Sequence, residues 1–201
     1  MNRTLKATAA LMLMMVFAVS CKKPDVPNDD YVTHDYVDLC LPSGTLWATC
    51  NVGATTPEGY GDHFAWGETR PGASCNWLTY AILMPSEDAA TANWGASWRT
   101  PTKEEWQELN DCCTSIWTTQ NGVNGRLFTS DNGNSIFLPS AGFLWGDDLM
   151  CVGSDGFYWS SSLYTGSSTD AWGFDFDTDR CGVYYSYRDD GRSVRAVRSA
   201  K

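Results

Sequence analysis

The sequence predicts an α+β domain of short antiparallel strands, one or two helices and much ordered loop. Three observations carry this. Short stretches of alternating polarity recur, as in Ala171-Trp-Gly-Phe-Asp-Phe-Asp177, with Trp172, Phe174 and Phe176 on one face. One segment, beginning at Thr102, has a strong helix signature. Between these lie long aromatic-rich stretches without periodicity, punctuated by 18 Gly and 8 Pro.

Residues 1–20 stand apart from the domain. Arg3 and Lys6 form a basic lead, Ala7 to Val19 is an almost unbroken apolar run, and small residues precede Cys21. This is the pattern of a secretory signal peptide. The apolar run is shorter than the roughly 20 residues a spanning helix needs. A Cys directly behind the small residues resembles the bacterial lipoprotein signal, which makes Cys21 the expected lipidation site and membrane anchor. Residues 21–35 are polar, with Pro24, Pro27 and four acids, and read as a flexible tether. The domain then occupies residues 36–198.

In that domain Tyr36–Leu41 alternates as a first strand, Pro42–Gly44 turns, and Thr45–Cys50 is a second strand. Residues 51–72 predict ordered loop, and a short helix is expected around Ser86–Asn93. Thr102, with Glu105 three residues later, forms a capping-box pattern. Trp106, Leu109, Cys112 or Cys113, and Ile116 continue that helix at helical spacing. Asn121–Gly125 is a turn, and Arg126–Thr129 pairs with Ser135–Leu138 around Asp131-Asn-Gly133. Residues 140–149 form a loop or bulged strand. Gly156–Ser161, Ala171–Asp177, Gly182–Tyr187 and Ser193–Val197 complete the strands. Trp66, Trp98, Trp106 and Trp159 are assigned to the core, although exposed Trp rings can stack on sugars.

Composition excludes some functions. The net charge is −10, and it becomes −12 once the signal, which holds Arg3 and Lys6 and no acid, is removed. Phosphate neutralisation needs clustered Lys and Arg, so nucleic acid is not an expected partner. Setting Cys21 aside leaves seven of the eight Cys. An exported location permits disulfides, and an odd number leaves one thiol over. At least half of these Cys are expected to be small buried apolar residues. No spacing matches a zinc site, and no cofactor or metal is expected. Asp175, Asp177 and Asp179 share a face and could hold Ca²⁺, but a solvated acidic face is the preferred reading. His34, in the tether, and His63 show no Ser, Cys or carboxylate arrangement nearby in sequence.

Several segments together carry a family resemblance. They are Val37–Gly53, Tyr60–Glu68, Trp98–Trp106, Asn121–Gly125, Asn134–Pro139, Tyr158–Ser162 and Gly191–Val197. In this order they resemble the Fibrobacter major paralogous domain of bacterial surface lipoproteins. That domain is similar to the C-type lectin fold in the branch shared with formylglycine-generating enzymes. The resemblance implies a C-type-lectin-like fold, a lipid-anchored position at the outer membrane or cell surface, and a possible pairing of Cys50 with Cys113. Those enzymes use a close Cys pair near the C-terminus, where this chain has only Cys181, so an enzyme is not expected.

The resemblance extends to the variable proteins of diversity-generating retroelements. In these, a Trp-Ser-Ser strand and a closing Gly-x-Ser-Val-Arg strand bracket a varied surface. Here Tyr158–Ser161 and Gly191–Arg195 would bracket it. The aromatic candidates between them for ligand binding are Tyr164, Trp172, Tyr184, Tyr185 and Tyr187. The polar ones are Ser167, Asp170, Asp175, Asp177, Asp179, Arg180 and Arg188. Tyr supplies a large amphipathic area and Ser adaptable hydrogen bonds, the composition of evolved binding surfaces. Residues 151–200 hold no Lys, Glu, Gln or Met, in keeping with adenine-directed mutagenesis of Asn codons. The expected function is a monomeric, lipid-anchored protein that binds an external protein or glycan. A structural envelope lipoprotein without soluble ligand is the alternative, and an enzyme of formylglycine-generating type stands behind both.

Overall fold

A computed structural model describes residues 34–73 and 81–200. Cys21 and the signal and tether up to residue 33 lie outside the described residues. In chain order the elements are β1 (Tyr36–Asp38), β2 (Thr45–Asn51), β3 (His63–Phe64), α1 (Ala89–Trp94), α2 (Lys103–Cys112), β4 (Cys113–Gln120), β5 (Val123–Ser130), β6 (Ser135–Pro139), β7 (Phe143–Trp145), β8 (Asp148–Met150), β9 (Gly156–Leu163), β10 (Asp170–Phe176), β11 (Cys181–Tyr187), β12 (Arg192–Ser193) and β13 (Arg195–Ser199). Strand β2 lies between β1 and β13, so the first and last strands of the domain share a sheet. A five-stranded sheet runs β11-β10-β9-β12-β3, with β12 parallel to β9. Strands β4-β5-β6 form a meander, and β7-β8 a separate hairpin. The segment expected as one strand at Ser193–Val197 is divided. The chain leaves the five-stranded sheet after Ser193 and joins β2 from Arg195.

This is an α+β domain of C-type-lectin-like type, with a core built from tryptophan. Trp47, Trp66, Trp106 and Trp159 are all within 1 % of full burial, and Trp98 is nearly so. Trp106 stacks on Phe174 with ring centres 4.8 Å apart and meets Tyr158 edge-on. Its indole N–H donates to the Trp159 carbonyl. Helix α2 is thereby pressed on the five-stranded sheet.

The start of α2 follows the sequence closely. The Thr102 hydroxyl accepts from the Glu105 N–H, and the Glu105 carboxylate accepts from the Thr102 N–H at 2.8 Å. The same carboxylate accepts from Thr45 Oγ1 at 2.7 Å and from Arg99 Nη1 at 2.6 Å. Burial pushes the Glu105 carboxyl up, but hydrogen bonds from Arg99, Thr102 and Thr45 outweigh burial and hold it below the usual value. A depressed folded pKa contributes stability above the unfolded value and loses it as pH falls through the folded one. Glu105→Gln is therefore expected to cost about 1–3 kcal/mol at pH 7. The gap should close as pH drops below the unfolded carboxyl value of 4.5. Urea midpoints of both proteins at pH 7 and pH 3 check this; an equal gap at both would contradict it.

Several expectations are corrected. The helix does not continue to Ile116. It ends at Cys112, and Ile116 is 53 % exposed on β4. Thr114, Ile116, Thr118 and Thr119 are β-branched, and this stretch pairs residue by residue with β5. The turn after it is only Asn121-Gly122, both at positive φ (50° and 84°). None of the six described Cys is fully buried, although Cys113 and Cys181 pack half-buried against the core, and all six are free, so Cys50 and Cys113 are not a disulfide. Cys40 and Cys151 sit at positive φ outside the regular elements, and aromatic rings fill the core instead. Cys75 lies outside the described residues. His34, placed in the tether, stacks on Trp94 with ring centres 3.7 Å apart.

Candidate functional site

Strands β10 and β11 carry most of the expected site residues. β11 is the outermost strand of its sheet, paired residue for residue with β10. The turn between them is fixed locally. Asp177 accepts from the Asp179 and Arg180 N–H groups at 2.8 and 2.9 Å and from Arg180 Nε at 2.7 Å. From behind, Arg126 donates to the Asp177 and Thr178 carbonyls. The display strand thus stands on a braced turn.

Alternation then divides the site between two faces. Toward α2, Phe174 enters the core. Trp172, one alternation earlier, lies opposite Tyr185 with the rings edge-on at 5.8 Å. Tyr164 stacks flat on Tyr185, ring centres 4.1 Å apart and planes within 1°, and meets Trp172 edge-on at 5.0 Å. Lys103 Nζ sits 4.9 Å over the Trp172 ring. Beside this platform a hollow of about 480 Å³ is lined by Lys103, Glu104, Gln107, Trp172 and Val183. Tyr185 remains 54 % exposed. A register shift in the β9–β10 ladder between Ala171 and Gly173 accompanies the Trp172 position.

On the other face, Arg192 Nη1 bonds Asp175 Oδ1 at 2.7 Å, and its guanidinium lies over Phe157 and Trp159. Gly173 has to be glycine here: a Cβ would come within 2.6 Å of the Tyr158 carbonyl. Tyr184 is exposed with the Arg180 guanidinium 5.9 Å from its ring. Tyr187, also exposed, shares the alternation of Tyr185 but lies at the end of β11, where it lines a different hollow with Trp145, Asp189 and Asp190.

The structure therefore brings Tyr164, Trp172 and Tyr185 together and sets Tyr184 and Tyr187 apart from them. Four expected site residues are reassigned. Arg188 is 1 % exposed, with its guanidinium 4.6 Å over Trp66 and a bond to the Ser168 carbonyl. Asp170 is buried. Asp175 is not a free surface acid, because it is committed to Arg192. Burial pushes its carboxyl up while Arg192 opposes the rise. Asp177 is a turn-maker. The three Asp consequently do not form one acidic face; only Asp179 is free in solvent. Ser167 bonds the Thr169 hydroxyl within the 164–169 loop at 2.8 Å.

The histidines have structural surroundings. His63 is buried, with Nε2 3.1 Å from the Ala141 carbonyl, and burial lowers its pKa. Among the described residues no group of three or more His, Cys, Asp or Glu is gathered as for a metal ion. No helix among them is long and apolar enough to cross a membrane.

Fold and site together define a C-type-lectin-like domain that shows an aromatic surface on braced strands. A family model, the Lcl C-terminal domain, matches residues 41–198, and the chain belongs to that family. The domain is found in Lcl-type surface proteins and is related to the variable proteins of diversity-generating retroelements, which places this chain among cell-surface proteins. The match does not confirm the finer resemblance to the Fibrobacter major paralogous domain. No curated protein and no solved structure matches the chain.

Proposed function

We propose that this protein is a lipid-anchored cell-surface binding protein that holds an external protein or glycan on its β10–β11 surface. The observation that supports this most is the Tyr164–Trp172–Tyr185 platform. Three rings are mutually oriented, two on the paired strands β10 and β11 and one directly after β9, one of them more than half exposed, with a hollow and a cation beside them. Rigid aromatics of this kind give contact area at low entropic cost. Cys21 supplies the anchor and residues 22–33 the reach. No catalytic step is assigned.

The test is capture of ligands from arrays of glycans and of purified surface proteins. Replacing Tyr184, Tyr185 and Tyr187 together by Ala should abolish capture while leaving the thermal midpoint nearly unchanged, since all three are exposed and none belongs to the buried core. Capture that survives the triple change would remove the site assignment.

Retroelement diversification of this surface is part of the reading. Exposed positions such as Asp179, Tyr184, Tyr185 and Tyr187 are free to vary, whereas Asp175 and Arg188 have fixed structural partners. Sequencing codons 157–198 across a source population should show substitutions at the former and none at Asp175, Arg188, Trp159 or Val194. A uniform sequence would remove diversification and leave the binding reading standing.

A further inference from the structure

The hollow beside Tyr187 lies apart from the ring platform and has a different chemistry. Its volume is about 460 Å³, within the usual range for a small-ligand site. Two open aromatic walls line it: Trp145, 63 % exposed at the end of β7, and Tyr187, 56 % exposed at the end of β11. Among the described Trp residues Trp145 alone is exposed, the others being buried or half-buried. Trp145 is also firmly supported. The residue before it, Leu144, exchanges two backbone hydrogen bonds with Gly191, at 2.7 and 2.9 Å. A side chain at position 191 would crowd Leu144 Cβ at 2.9 Å, so glycine permits this clamp.

The remaining wall is acidic. Asp189 is exposed and has no ion pair among the described residues. Asp190 is 7 % exposed and lines the hollow. Its Oδ2 accepts from Ser186 Oγ at 2.9 Å, while Oδ1 accepts no hydrogen bond among the described residues. Among the described residues the cation paired with Asp190 is Arg192, at 3.7 Å, and that guanidinium makes its shorter bond to Asp175. A single Arg therefore serves two carboxylates while Asp189 adds a third charge. The Arg188 guanidinium is turned onto Trp66. Burial, then the charges of Asp189 and Asp170, push the Asp190 carboxyl up against Ser186 and Arg192. Among the described residues no Lys, Arg or His lines the hollow.

We propose that this groove binds a compact organic cation, an alkylammonium group held against the Trp145 and Tyr187 rings and facing Asp189 and Asp190. Aromatic faces attract cations through their quadrupoles, and an adjacent carboxylate pair supplies the counter-charge. The acidic chain as a whole draws such groups in. The cation comes either from a lysine side chain of a partner or from a free amine. A neutral sugar would stack on the same rings but make no use of the acids.

The test follows the Trp145 indole resonance of the full chain in detergent micelles during titrations. The probes are Nα-acetyl-lysine methylamide, methylammonium, the norleucine analogue and glucose. The lysine derivative should give a saturable shift, weakened about 3-fold or more between 50 and 500 mM salt. Saturation by methylammonium at a similar concentration assigns the site to free amines. Saturation only by the lysine derivative assigns it to side chains. Asp189→Asn, which removes only an exposed charge, should weaken binding about 10-fold. Tyr185→Ala should leave it unchanged, so failure here and failure of the ring platform are separable. Equal binding of glucose or of the norleucine analogue, an unaffected Asp189→Asn variant, or no saturable shift would each overturn the proposal.

Discussion

Trp106→Ala is expected to lower unfolding stability by about 3–5 kcal/mol, the range for deleting a buried Trp. The ring is fully enclosed. It lies flat on Phe174, edge-on to Tyr158 and 4.8 Å from the Trp47 ring centre. Removal leaves a void at the junction of α2, β2 and the five-stranded sheet, and also orphans the Trp159 carbonyl. Domains are stable by only about 5–15 kcal/mol, so this variant should approach unfolding at 37 °C. Trp106→Phe keeps a stacking ring and loses the hydrogen bond, and should cost about 1–2 kcal/mol. Urea unfolding followed by near-ultraviolet circular dichroism checks both. A loss under about 1 kcal/mol for the Ala variant would contradict the position given to Trp106.

Arg195→Ala is expected to cost a similar amount, about 3–5 kcal/mol, for a different reason. Arg195 is completely buried on β13, and burial lowers its pKa. Its guanidinium donates to Asn51 Oδ1 at 3.0 and 2.8 Å, to the Ala48 carbonyl at 3.1 Å and to the Phe137 carbonyl at 3.0 Å. One side chain thus ties β13 to β2 and to β6. Removing it leaves those acceptors dry and unpaired. Arg195→Lys keeps the charge but not the planar fork, and should recover less than half of the loss. Thermal midpoints of the three proteins decide it; a Lys variant as stable as the parent would show that charge, and not the fork, is what matters.

Much of the fold was legible because local chemistry agreed with the final packing. The Thr102–Glu105 capping box, the hairpin around Asp131-Asn-Gly133 and the helix near residue 90 all formed where the residues placed them. In α1, Asp88 accepts from the Ala90 and Thr91 N–H groups, a cap the sequence reading passed over. The end of α2 was misplaced because Ile116 happens to keep helical spacing, while the β-branched run around it prefers a strand. The division at Val194 was hidden because sheet membership depends on distant partners.

The site was legible as a segment and not as a surface. Alternation alone separates Tyr184 from Tyr185. The positions of Tyr164 and Lys103 relative to Tyr185, however, come from other parts of the chain. Arg188 and Asp175 look like surface residues in sequence, since Arg and Asp are seldom buried. Their partners, Trp66 and Arg192, become neighbours only on folding. Trp145, Asp189 and Asp190 were passed over, although a Trp beside Gly146 and two acids in a turn was the available signal.

The central claim is that the exposed rings of β10 and β11 bind while the buried residues of the same segment hold the fold. The most direct measurement is an alanine scan of residues 164–188 in the full chain, reading array capture and thermal midpoint for every variant. Tyr185→Ala should lose capture at an unchanged midpoint, whereas Asp175→Ala and Arg188→Ala should lower the midpoint. Capture that falls only in variants whose midpoint also falls would contradict it.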